Sequence, residues 1–82
     1  MQPMTARERI AINLKRLRSD RGLSQEKMAE LADFHRTYVS QLERCVTNIS
    51  VDGLERFANA LDVDVVDLLV SPVRESREEA SH

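Results

Sequence analysis

The sequence predicts an all-α domain built from five short helices. Three observations carry this. Apolar residues recur three and four positions apart in five successive segments. Each segment follows a residue placed to cap a helix: Thr5, Ser24, His35, Ser50 and Asp64. Only two Gly and two Pro interrupt 82 residues, and 41% of the chain is hydrophobic, which favours a folded helical protein over disorder.

In the first helix, Thr5 with Glu8 three residues later reads as a capping box. Ile10, Leu14 and Leu17 then form an apolar stripe, widened by Ala11, and Gly22 supplies a left-handed stop. Arg7, Arg9, Lys15, Arg16 and Arg21 fall off the stripe and read as a solvated face. The second helix runs from Ser24 to about Ala32, burying Met28, Ala29 and Ala32, with Leu31 partly exposed. Asp33, Phe34 and His35 form a tight turn, in which Asp33 takes a positive φ and Phe34 plugs the core. The third helix runs from Arg36 to about Arg44, and residues 45–49 form a loop. Ser50 caps a fourth helix that buries Val51, Leu54, Phe57, Ala58 and Leu61. Asp64 caps a last short helix in which Val65, Leu68 and Leu69 are apolar. The domain is expected to span residues 1–70, and residues 71–82 to form a charged, mobile tail.

Two helices joined by a three-residue turn make a helix-turn-helix, whose second helix commonly lies in a DNA major groove. The third helix fits that use. Only Val39 and Leu42 point inward, which leaves Arg36, Thr37, Tyr38, Ser40, Gln41 and Arg44 outward, with Glu43 the one acid. Arg can bond guanine, Gln can bond adenine, and a Thr methyl can meet the methyl of thymine. The net charge of −2 argues at first against a polyanionic partner, but the charge is unevenly placed. Residues 7–44 hold nine Lys or Arg against six Asp or Glu, whereas residues 45–82 hold three against eight. The local field at the contact face decides binding.

Other classes find little support. His35 and His82 lack metal-ligand spacing, and no phosphate loop or nucleophile–base arrangement is present, so no catalytic residue, metal or cofactor is expected. Cys45 is the only cysteine, no apolar run approaches the roughly 18 residues of a membrane span, and the first residues lack a secretory apolar block. A reduced, cytoplasmic protein is expected. Val66 and Val70 exceed what one small core can hide and are expected to form a homodimer interface.

Three stretches carry a resemblance: RLRSDRGLSQEKMA (residues 16–29), YVSQLER (38–44) and LERFANALDVDVVDLL (54–69). Together they resemble the phage Cro/repressor-type helix-turn-helix domain, also called the xenobiotic-response-element type, over about residues 10–69. RTYVSQLER is most similar to the controller proteins of restriction–modification systems. The resemblance implies a five-helix repressor-like fold that binds double-stranded DNA as a dimer. By position it implies that Arg36, Thr37 and Gln41 read bases. It implies that Gln25, Tyr38, Ser40, Arg44 and Asn48 touch the DNA backbone. Arg18 and Glu43 match a structural ion pair that ties the first helix to the third. The chain departs from the family pattern at Asp33 and Cys45, where Gly is usual. The expected function is sequence-specific transcription regulation on a palindromic operator. The alternative is an antitoxin or other protein-interaction module, with the tail after Pro72 carrying the protein partner.

Overall fold

A computed structural model describes residues 4–72. Among these residues the architecture is entirely helical. It comprises α1 (Ala6–Asp20), α2 (Gln25–Ala32), α3 (Arg36–Glu43), α4 (Val51–Leu61) and a 3-10 turn, Val65–Leu68. Four of the five expected helices are therefore α-helices, and the fifth segment is a single tight turn. The expected tail lies outside the described residues, apart from its first two positions. No helix among the described residues is long and apolar enough to cross a membrane.

The helices start where short side-chain oxygens can accept free backbone N–H groups. Thr5 Oγ1 accepts from Glu8 N at 3.1 Å, and Glu8 Oε1 accepts from Thr5 N at 2.8 Å, completing the capping box. Ser24 Oγ accepts from Lys27 N and Ser50 Oγ from Gly53 N, each at 2.9 Å. Asp64 Oδ1 accepts from Val66 N at the 3-10 turn. His35 takes the capping backbone conformation before α3 but makes no side-chain cap bond. A rigid imidazole lacks the short reach of Ser or Asp to the N–H groups behind it.

All four α-helices stop in the same way. Gly22, Asp33, Cys45 and Asp62 sit at φ between 59° and 67°, in the left-handed region. The next residue then donates back across the last turn. Leu23 N bonds Arg18 O at 3.1 Å, Phe34 N bonds Ala29 O at 2.8 Å, Val46 N bonds Gln41 O at 3.0 Å and Val63 N bonds Ala58 O at 2.9 Å. This Schellman arrangement satisfies carbonyls that the helix leaves free. An L side chain in the left-handed region costs about 1–2 kcal/mol relative to the right-handed form. Part of that is offset when Gly replaces it, because Gly makes the unfolded chain more disordered. Cys45→Gly is therefore expected to raise the melting temperature by roughly 2–4 °C, the shift for about 0.5 kcal/mol in a domain this small. Thermal denaturation of the two proteins checks it, and an unchanged or lower midpoint would contradict the strain argument.

The core is mainly aliphatic. Ile10, Leu14, Leu17, Met28, Ala29, Ala32, Val39, Leu42, Leu54, Phe57, Ala58, Leu61 and Leu68 are buried together. Full burial of a large apolar side chain such as Leu14 or Phe57 contributes about 1.5–3 kcal/mol. Val51, expected in this core, is instead 76% exposed. It is the first residue of α4, where the side chain leans back past the helix end, beyond its packing partners. Gly53 is buried in that turn.

Asn13 is completely buried on α1. Its Nδ2 donates to Leu68 O at 3.1 Å and Val70 O at 2.8 Å, while Arg9 Nη1 donates to Leu69 O at 3.2 Å. Three successive carbonyls of the C-terminal segment are thus held by α1. Arg21 likewise donates to Leu61 O at 3.0 Å. Arg9 and Arg21 accordingly tie elements together, where a solvated face was expected.

Candidate nucleic-acid interface

The α2–turn–α3 unit presents one polar face. Val39 and Leu42 are buried and anchor α3. Arg36, Thr37 and Arg44 are exposed, while Tyr38, Ser40 and Gln41 are half-buried. The helical repeat places residues 36, 40 and 44 in one row and residues 37, 41 and 44 in the adjacent one. The predicted base-reading residues Arg36, Thr37 and Gln41 therefore share a surface. Gln41 is less free than the sequence suggested, and the same holds for Tyr38 and Ser40.

Tyr38 is held from both sides. Its Oη donates to Asn48 O at 2.8 Å, and its ring packs 5.0 Å from Phe34. Burial pushes the phenol above its ordinary pKa, and the nearby positive charge of Arg56 pulls it part of the way back. Its hydroxyl proton is thus committed to the 45–49 loop, and a hydrogen bond to phosphate, which can only accept, requires that proton to be redirected. Asn48 is exposed and lines an open groove of about 290 Å³ with Arg7 and Thr47. This groups the start of α1 with the loop after α3. Arg44 Nε is 3.4 Å from Ser40 O, a weak bond that leaves its guanidinium available.

Behind the face, Arg18 and Glu43 meet as a two-pronged pair. Arg18 Nε donates to Glu43 Oε2 at 2.6 Å and Nη2 donates to Oε1 at 3.0 Å. Arg18 Nη1 also donates to Leu23 O at 2.6 Å. The two side chains are 13% and 4% exposed. Bonding to Glu43 raises the guanidinium above its ordinary pKa, against the lowering effect of burial, so Arg18 stays charged. Gln25 Nε2 donates to Glu43 Oε1 at 3.0 Å. One carboxylate therefore links α1, the start of α2 and the end of α3. Gln25, expected to touch phosphate, has one of its two amide N–H donors committed to that bond.

Two participants were not singled out from the sequence. Asn13 lies at helical spacing within the stripe of Ile10, Leu14 and Leu17, which was a legible sign of a buried polar role. Arg56 donates to Ala32 O at 3.1 Å and to Asp33 O, at the end of α2. No local pattern distinguishes it from any exposed Arg on an amphipathic helix. Among the described residues, no group of three His, Cys, Asp or Glu side chains is arranged to hold a metal ion.

Two short helices around a left-handed turn, with a polar second helix pinned from behind, define a helix-turn-helix protein. A family model described as a helix-turn-helix domain matches residues 9–69, and the chain belongs to that family. It is 47% identical over 51 residues to the control protein C.BamHI of Bacillus amyloliquefaciens, covering 62% of this chain and 63% of that one. The chain thus matches somewhat under two thirds of that relative's length. The crystal structure of the hypothetical transcription factor NHTF from Neisseria superposes with a TM-score of 0.84 at 34% identity, covering 94% of this chain and 91% of that one. The restriction–modification controller protein C.Esp1396I, as a tetramer in complex with its natural 35 base-pair operator, superposes with a TM-score of 0.72 at 27% identity, covering 80% and 87%.

Proposed function

We propose that the protein is a cytoplasmic, sequence-specific transcription regulator that binds double-stranded DNA as a homodimer on a palindromic operator. The observation that carries this is the outer face of α3. Arg36, Thr37 and Gln41 offer base-edge donors, acceptors and a methyl on one surface of a helix anchored by only two buried residues. Similarity to a controller protein bound to its operator supports the same reading. In this arrangement α3 enters the major groove, and Tyr38, Ser40, Arg44 and Asn48 approach the phosphates. Gln25 joins them through its second amide N–H, the first remaining on Glu43.

The homodimer is assigned to the C-terminal segment, in a domain ending near residue 70. Val66 is 57% exposed, on a turn that α1 holds rigidly through Asn13 and Arg9. Val70 is half-buried and contributes less. A two-fold contact through Val66 is self-complementary, and a palindromic operator calls for two recognition helices roughly one DNA turn apart.

Selection from a random duplex pool, paired with sedimentation at micromolar concentration, tests the function and the assembly together. The intact protein is expected to run as a dimer and enrich a two-fold symmetric sequence. Val66→Glu is expected to give a folded monomer that enriches nothing symmetric. A monomeric intact protein, or an unchanged dimer in Val66→Glu, would remove this interface. Failure to enrich any sequence would remove the DNA-reading function.

A further inference from the structure

We infer that Arg56 on α4 is a positioning residue for DNA recognition, acting through a stacked column that runs from the α2–α3 turn to the Asn48 loop. The inference rests on the proposed use of α3 as the recognition helix.

Arg56 lies outside the helix-turn-helix, in the acidic half of the chain, yet it grips the turn at three points. Nε and Nη2 donate to the carbonyls of Ala32 and Asp33, at the end of α2 where a cation is favoured. Its guanidinium carbon lies 3.9 Å from the centroid of the Phe34 ring, a cation–π contact. Phe34 in turn stacks on Phe57 at 4.8 Å and packs against Tyr38 at 5.0 Å. Tyr38 closes the column by its bond to Asn48 O. Gly53 lies close against the tip of the Phe34 ring. A Cβ added at Gly53 would lie 3.3 Å from Phe34 Cζ and 3.1 Å from Ile49 Cγ1.

Four elements thus meet in one line: α4, the turn, α3 and the loop after it. The guanidinium plane at one end both bonds the turn and covers its plug. Lys cannot reproduce this, because an ammonium is a point charge without a stacking plane or a fork of donors. The Arg56 side chain is 45% exposed, so removing it strands no buried charge. Its loss is expected to loosen the turn that seats α3, so that Tyr38 and Asn48 no longer fix the register at which Arg36 and Gln41 meet the bases, while leaving the fold intact. The charge that acts on Tyr38 is Arg56, and the Asp33 carboxylate that lies 3.7 Å from Arg56 is fully exposed to solvent.

The full chain with Arg56→Gln or Arg56→Lys tests this. The chain contains one Tyr and no Trp, so phenol absorbance reports the column alone. Both variants are expected to keep their helical circular dichroism. Both should lose about tenfold in affinity for the selected operator, with random-duplex affinity nearly unchanged. The Tyr38 titration should move upward in Arg56→Gln, because a charge that stabilises the phenolate is gone. Combined with Tyr38→Phe, the Arg56→Gln loss should be less than multiplicative, since both act through one column.

Operator affinity unchanged in the folded variants would overturn the inference. Equal losses on operator and random duplex would make Arg56 a phosphate contact and overturn it too, as would multiplicative losses in the double variant. A parent protein with no preferred duplex overturns the recognition-helix reading and this inference with it. A preferred duplex bound equally well by Arg56→Gln overturns the inference alone.

Discussion

Glu43→Ala is expected to lower the melting temperature by on the order of 10–20 °C, whereas Glu26→Ala should shift it by only a few degrees. Glu43 is 4% exposed and accepts three bonds, two from Arg18 and one from Gln25. Truncation leaves a guanidinium in a largely buried site without its counter-charge. Breaking a buried pair in this way typically costs 3–5 kcal/mol. Arg18 retains its bond to Leu23 O and some solvent contact, so about 2–3 kcal/mol is the expected loss here. Glu26 is exposed in the first turn of α2, and its removal strands nothing. Thermal unfolding of the two variants side by side gives the comparison. Equal melting temperatures would show that the pair does not hold α3. The net contribution of the pair is a separate quantity, because two ions also lost hydration on folding. Replacing both Arg18 and Glu43 with Met should cost less than Glu43→Ala alone.

The second large effect concerns recognition. Arg36→Ala and Gln41→Ala are each expected to cost about 1–3 kcal/mol on the selected operator, roughly 5- to 150-fold in affinity. Arg36 is exposed at the start of α3 and can pair with guanine through two donors, so its loss should be the larger. Gln41 is half-buried, with less freedom to reach. Neither residue makes a side-chain hydrogen bond within the described structure that its truncation would break, so the folded state should survive both changes. Arg44 is different. Its guanidinium stands at the end of α3, beside the loop carrying Asn48, and is assigned to phosphate. Arg44→Ala should weaken binding to operator and random DNA by similar factors and reduce the salt dependence of both.

The fold was legible where side-chain chemistry acts locally. Thr5 with Glu8, Ser24, Ser50 and Asp64 cap helices through bonds between near neighbours, which spacing alone can reveal. The left-handed stop at Asp33 was legible for a similar reason, since a helical pattern ended and a new one began within three residues. Cys45 adopts the same conformation without a residue type that announces it, and Asp62 was not singled out although Asp tolerates it. The last segment was read as a helix because its apolar spacing permits one. Four residues between two packed ends close as a 3-10 turn, held by Asn13 and Arg9 from α1. Those contacts span more than fifty residues of sequence and leave no periodic trace. Within the candidate site, spacing revealed which residues of α3 face outward. It could not reveal that Tyr38 is clasped by Phe34 and Asn48, or that Gln25 bonds Glu43. Arg56 was invisible for the same reason, because its role is defined by carbonyls and a ring brought to it by the fold.

The most direct measurement of the central claim, that α3 reads base sequence, is the ratio of affinities for the selected operator and for random duplex. It should be taken at one fixed salt concentration, since both affinities fall as salt rises. The ratio should fall by roughly 5- to 150-fold in each of Arg36→Ala and Gln41→Ala and persist in Arg44→Ala. A ratio unchanged by Arg36→Ala and Gln41→Ala, with both affinities lowered together, would mean that α3 contacts only the phosphate backbone, and would contradict the account.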